Sequence, residues 1–538
     1  MNRRSFIGRG AVAVGALAAS RLANPLALLA EGTPGATVET GSGKVRGLSH
    51  DGVQAFRGIP YGASTADSAR FLPAGKPRPW TGVRDAFELG LRCPQASPGL
   101  IPEFASLDRA EPAGEDCLVL NVWTPSADAS KKRPVMVWLH GGGYSTGSAG
   151  FTIYDGANLA AKQDVVLVGV NHRLNVFGFL YFAEIGGEKY AQASNVGILD
   201  VVSALQWVRD NISAFGGDPG NVTIFGQSGG GGKVSTLLAM PSAKGLFHRA
   251  IIESGATVKG VPRGEASQSA EQFLAKLGLK PNQLDQAQKL PAEQLVAAMG
   301  SGGPAGNLNL RLSPTTDGRS LPADPFYPKA SALSANVPLI VSTVETEVAF
   351  FAGQQLDPMD DATLHQKVMQ TLPKASAAQA DQVIAAYRAG RPKAPNTDLY
   401  LTFASDATFR QGPVTEAVRK AADGSAPVYM SYFTWHSPVR DGKLRSFHTL
   451  EIPFIFENVD VGKSVTGSGQ DRYALADRMS AAWASFARTG NPNHPGIPHW
   501  PAFKGEERAT MFFNDECKVV NDPYGTERRM VDALLTTT

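Results

Sequence analysis

The chain has 538 residues, 43% of them hydrophobic and 19% charged, the composition of an ordinary globular protein with room for a large core. Its 51 basic and 49 acidic residues leave a formal net charge of +2. No basic tract interleaved with aromatics stands out, which argues against nucleic acid as a partner.

The N-terminus reads as an address. Arg3-Arg4 precedes a small apolar run from Ala11 to Ala19, too short to span a bilayer. A cleaved twin-arginine (Tat) signal within residues 1–30 is therefore expected, with several Ala-ending cleavage sites between Ala18 and Ala30. It implies a periplasmic or secreted protein without stable membrane insertion. In such an oxidising compartment Cys93 and Cys117 could pair or stay free, with Cys517 left over. No zinc-type spacing occurs, so neither a metal nor a cofactor is expected.

Through the first half, short β-branched runs alternate with helical segments, the pattern of an α/β protein with a mostly parallel sheet covered by helices. Val135–Leu139 and Val165–Val170 read as buried strands. Residues 195–212 carry Ile198, Val201, Val202, Leu205 and Val208 at helical spacing. Val222–Phe225 is the next strand, and Lys233–Met240 a helix closed by Pro241. Between about Gly260 and Tyr400 the pattern turns helical and polar, interrupted by a strand at Val337–Val341; the helices read as insertions walling the site. Val428–Phe433 is a late strand. Residues 31–538 are expected to form one catalytic domain.

Two pentapeptides match G-x-S-x-G, one around Ser228 and one around Ser145, and a glycine-rich chain yields such matches by chance. A nucleophile elbow needs a strand, a sharp turn and then a helix, whose N-terminus favours developing negative charge. Ser228 has both flanks, whereas Gly147-Ser148-Ala149-Gly150 behind Ser145 cannot start a good helix. Ser228 is the expected nucleophile. His140-Gly141-Gly142-Gly143 follows a strand upstream, where an oxyanion loop belongs. Its N–H groups, with that of Gly229, would bind a tetrahedral oxyanion, and His140 itself is expected to be structural.

The fold orders the triad as nucleophile, acid, histidine. His436 and His448 both follow the late strand, and Glu345 and Glu347 both follow Val337–Val341. Spacing alone separates neither pair.

At this point the residues resemble the type-B carboxylesterase and cholinesterase family over essentially the whole mature chain. Phe56-Arg57-Gly58-Ile59-Pro60-Tyr61, Glu115-Asp116-Cys117-Leu118-Val119-Leu120-Asn121-Val122, Asn171-His172-Arg173-Leu174 and Phe215-Gly216-Gly217-Asp218-Pro219 carry the likeness. The resemblance implies the α/β-hydrolase fold with helical insertions forming a gorge, and a serine esterase needing no cofactor. It places the acid at Glu347, loosely matched, and the base at His448. It makes Gly142 and Gly143 the oxyanion donors and pairs Cys93 with Cys117. Tyr144, Phe350 and Phe351 are candidates for the gorge wall. The sequence departs from the family at Gln227, where glutamate is usual, which disfavours choline esters, and at Gly229, where alanine is usual. Two rivals remain: an inactive binding protein, as in relatives that lost the triad, and a hydrolase of amides, carbamates or polyesters.

Overall fold

A computed structural model describes residues 32–97, 99–300, 310–352 and 356–536. The expected export signal lies outside these residues.

Strands β1 (Thr33–Thr40), β2 (Gly43–His50), β3 (Val53–Pro60) and β4 (Val83–Asp85) open the chain. They are followed by β5 (Val119–Thr124), β6 (Arg133–Leu139), β7 (Val166–Val170), β8 (Gly217–Gln227) and β9 (Arg249–Glu253). The last four are β10 (Leu339–Val344), β11 (Val428–Phe433), β12 (Thr510–Phe513) and β13 (Lys518–Val520). All join one sheet in the order β1-β2-β3-β5-β7-β6-β8-β9-β10-β11-β12-β13, with β4 beside β2. The run from β7 to β12 is parallel, and the flanking strands pair antiparallel, apart from the parallel β4.

The chain steps from β6 to β7 on one side and returns past β6 to β8 on the other. Such a reversal opens a crevice at the carboxyl ends of the two strands. The loops after β6 and β8 are the oxyanion-loop candidate and the Ser228 elbow.

Alternation along β6 shows why the sheet is buried on both faces. Val135, Val137 and Leu139 enter one hydrophobic core, while Met136 and Trp138 enter the other. A smaller third core lies among the inserted helices Asp361–Thr371, Ala377–Gly390 and Asn396–Ser405, built from Leu364, Val368, Val383, Tyr387, Leu399 and Phe403.

Most expected elements stand within a few residues of their places. The helix over 195–212 is Val196–Asn211. Pro338 has no N–H to pair, so β10 starts at Leu339 and runs to Val344, beyond the expected end. The larger difference is the helix behind Ser228, which is Gly229–Leu237 and includes the glycine run. Glycine is a poor helix former, but packing overrides propensity here. A Cβ on Gly230 would sit 1.9 Å from the Leu139 carbonyl oxygen, and one on Gly226 would sit 2.6 Å from it. Only glycine lets this helix start against the end of β6.

The expected Cys93–Cys117 disulfide is not formed. Both are buried free thiols, the Cys93 sulfur accepting the Leu174 N–H at 3.3 Å. Contact with Cys93, together with burial, pushes the Cys117 thiol well above its ordinary pKa.

Candidate active site

Ser228 stands between β8 and its helix with φ +57° and ψ −125°. A serine rarely adopts this backbone, and holding it there costs about 1–3 kcal/mol. The Ser228 N–H donates to the Glu253 carbonyl at 2.8 Å, and its own carbonyl accepts the Gly232 N–H at 3.1 Å. The turn therefore points the hydroxyl into a cavity of about 840 Å³ that Gly142, Gly143 and His448 also line.

The glycine loop is held close to the elbow. Leu139 pairs with Gly226 in register, which sets His140 beside Gln227. Gly142 and Gly143 have φ of +89° and +64°, the left-handed region that favours glycine. Their N–H groups, and that of Gly229, donate to no described residue and are free for a ligand oxygen. A Cβ on Gly229 would lie 1.8 Å from the Gly143 carbonyl oxygen. The loop thus sits closer than an alanine at 229 would allow, which gives the family departure a structural meaning. Gly229→Ala is expected to lower kcat by about 10–100-fold with a smaller change in KM, a loss comparable to weakening one oxyanion donor. Steady-state kinetics on a p-nitrophenyl ester check this, and an unchanged kcat would show that the loop yields freely.

β10 and β11 run side by side, with Val344 opposite Phe433, and bring both candidate acids near both candidate bases. His448 Nδ1 lies 2.5 Å from Glu347 Oε2, and Glu347 Oε1 accepts the Val344 N–H at 3.0 Å. Glu347 is 0% and His448 2% exposed. An acceptor at Nδ1 keeps the proton there, so Nε2 is the basic nitrogen. The Gln227 amide nitrogen lies 3.4 Å from Nδ1 and 3.3 Å from Nε2 of that ring. No hydrogen bond joins Ser228 Oγ to His448 among the described residues, although both line the cavity; such contacts often tighten only with substrate bound.

The runners-up pair with each other. His436 Nε2 lies 2.8 Å from Glu345 Oε2, and both line a separate cavity of about 700 Å³ that does not reach Ser228. Ser145 lies in a turn, its N–H donating to Gly142, with no helix behind it. His140 is buried, and burial followed by the nearby Lys233 charge drops its imidazole well below the ordinary pKa.

The cavity wall is largely apolar. Phe350 and Phe351 line it as expected, joined by Leu100, Ile101, Phe104 and Phe409. Tyr144 does not: it packs edge-on against Phe179 and bonds Thr257 at 2.9 Å, because the glycine loop turns it inward. Phe409 had no sequence signal. It comes from a π-turn, Asp406–Arg410, between two inserted helices, and its ring centroid lies 4.9 Å from that of His448. Arg440 also faces the cavity, its guanidinium forked onto Glu103 at 2.5 and 2.6 Å.

Behind the site, Glu253 and Glu451 are fully buried. Burial lifts the Glu451 carboxyl well above the usual range, helped by the charges of Glu347 and Glu253. Burial pushes Glu253 up to about 8 from 4.5, against the pull of its bond from Trp483 Nε1 at 2.6 Å. The folded chain therefore keeps a proton on Glu253 that the unfolded chain gives up above about pH 4.5. The stability this provides is full below about pH 4.5 and is lost as pH rises to about 8. Glu253→Gln, which keeps an acceptor for Trp483, is expected to remove up to about 1.4 kcal/mol per pH unit from that decline. Urea unfolding at pH 5, 6.5 and 8 measures it, and equal slopes in both proteins would sink the assignment.

A serine at a strand–turn–helix elbow, free N–H groups beside it and a buried His–Glu pair after later strands together define an α/β-hydrolase. Residues 34–530 match the model of the carboxylesterase family, and the chain belongs to that family. It is 36% identical over 505 residues to para-nitrobenzyl esterase of Bacillus subtilis, covering 91% of this chain and 97% of that protein. A solved Geobacillus stearothermophilus carboxylesterase superposes with a TM-score of 0.79 at 36% identity, over 92% of this chain and 99% of its own. An esterase of Clostridium hathewayi, described as able to hydrolyse aliphatic aromatic polyesters, superposes with a TM-score of 0.79 at 34% identity. That match covers 93% of this chain and 98% of the esterase.

Proposed function

We propose that the chain hydrolyses carboxylic esters by two-step acyl transfer on Ser228. His448 Nε2, oriented by Glu347, takes the hydroxyl proton as Oγ attacks the ester carbonyl. The N–H groups of Gly142, Gly143 and Gly229 hold the resulting oxyanion. The tetrahedral species collapses, His448 gives its proton to the leaving alkoxide, and the alcohol departs. Water, deprotonated by the same imidazole, then attacks the acyl-enzyme and restores Ser228. The observation that carries this reading is the buried His448–Glu347 contact, whose histidine lines the same cavity as the strained serine.

The phenylalanines around His448 favour esters with a bulky apolar or aryl group, as the name of the Bacillus relative suggests for that protein. Neutral Gln227 offers no anionic charge to a cationic alcohol. A fluorophosphonate probe should label Ser228 once per chain, read by peptide mass mapping; a label on Ser145 or none at all would defeat the reading. A panel of short-acyl, long-acyl and aryl esters against matched amides, carbamates and a polyester film then ranks the substrates, with aryl esters expected first. No turnover of any of them would favour the binding-protein rival.

We also propose export by the twin-arginine route, on the strength of Arg3-Arg4 and the apolar run behind them. Replacing both arginines by lysine should hold the esterase in the cytoplasm of a Tat-competent host, and undiminished export would refute it.

A further inference from the structure

Lys233 lies on the helix behind Ser228 and is 0% exposed. No carboxylate pairs with it among the described residues. Among the described residues its one side-chain hydrogen bond runs from Nζ to the carbonyl of His140 at 2.8 Å, and the Tyr144 ring centroid is 5.7 Å away. Burying a lone ammonium costs several kcal/mol, and an apolar side chain of similar length would be the more stable choice. Burial brings this amine down to about 7, where it donates a hydrogen bond in either protonation state.

The carbonyl it holds is the last one before the glycine loop. One residue on, the Gly141 carbonyl is met by His140 Nδ1 at 2.9 Å, and the His140 ring stacks on His172 with centroids 4.9 Å apart. The base of the loop is thus pinned at two successive carbonyls. Beyond it, Gly142 and Gly143 have no side chain to bias their rotation. Without the amine, the buried His140 carbonyl would lose its side-chain donor, and that peptide could turn to seek another.

We propose that Lys233 is a positioning residue of the oxyanion hole, holding the His140 carbonyl so that the Gly142 and Gly143 N–H groups stay aimed at the reacting oxygen. This rests on the assignment of Ser228 as nucleophile. Preorganised donors stabilise the transition state far more than the ground state, so the loss belongs in kcat.

The test compares wild type with Lys233→Met and Lys233→Gln. Each is measured for kcat and KM on p-nitrophenyl butyrate, for the Ki of a trifluoromethyl ketone that adds to the serine as an oxyanion, and for Tm. Lys233→Met should fold with an equal or higher Tm, lose 10–100-fold in kcat, keep KM within threefold and weaken the ketone by the same factor as kcat. Lys233→Gln, which keeps a shorter donor, should fall between it and wild type in both kcat and Ki. A folded Met variant with kcat within threefold of wild type overturns the proposal, as does a fall in kcat that Ki does not follow. If the Met variant does not fold, the Gln variant is judged by the same pairing of kcat with Ki. Absence of the fluorophosphonate adduct on wild-type Ser228 would defeat the underlying assignment separately, whatever the lysine variants do.

Discussion

Ser228→Ala is expected to lower kcat on a p-nitrophenyl ester by about 10⁴–10⁶-fold, with the protein folded and its Tm within a few degrees of wild type. The size follows from what is removed. The remaining N–H groups can still polarise a bound carbonyl, but no covalent path is left, and water must attack unaided. Alanine also suits this position sterically, since the hydroxyl faces the cavity rather than the core. Residual activity from binding and the oxyanion donors alone should persist above the uncatalysed rate. A variant within tenfold of wild type would mean that acyl transfer runs through another residue, and Ser145 would be the first to test.

The second large effect separates the two His–Glu pairs. Glu347→Gln should cost about 10³–10⁴-fold in kcat, because an amide can present its NH₂ to Nδ1 and so favour the imidazole tautomer with the proton on Nε2, where it cannot accept from serine. Glu345→Gln should stay within threefold, since its partner His436 is half exposed and lines a different cavity. Kinetics of the two variants side by side decide the matter, and equal losses would undo the assignment of the acid.

These pairs show where the sequence was legible and where it was not. The elbow is a local pattern of strand, small residues and helix, so Ser228 could be separated from Ser145 without coordinates. The glycine loop was legible for the same reason. The acid and base were not, because β10 and β11 are each followed by two candidates, and which pair faces the serine depends on how the loops after the strands fold back. Resemblance supplied Glu347 and His448 where spacing could not. Tyr144 was misplaced because a residue next to an active loop looks exposed until the turn of that loop is known. Phe409 and Lys233 left no trace: an aromatic in an inserted helix reads as packing, and a lysine in a helix as surface. Only tertiary contacts turn either one toward the site.

The third hydrophobic core has a consequence for how such an enzyme diversifies. The helices from Asp361 to Ser405 pack on one another and on Val531 of the C-terminal helix Gly525–Thr536, and the π-turn that carries Phe409 follows directly from them. A segment whose interior is shared with one terminal helix rather than with the sheet can be exchanged, together with that helix, between homologues with little disturbance to the sheet that holds the candidate catalytic groups. Recombination therefore redraws the aromatic wall above His448 in one exchange of segments, where point mutation would have to repack it residue by residue.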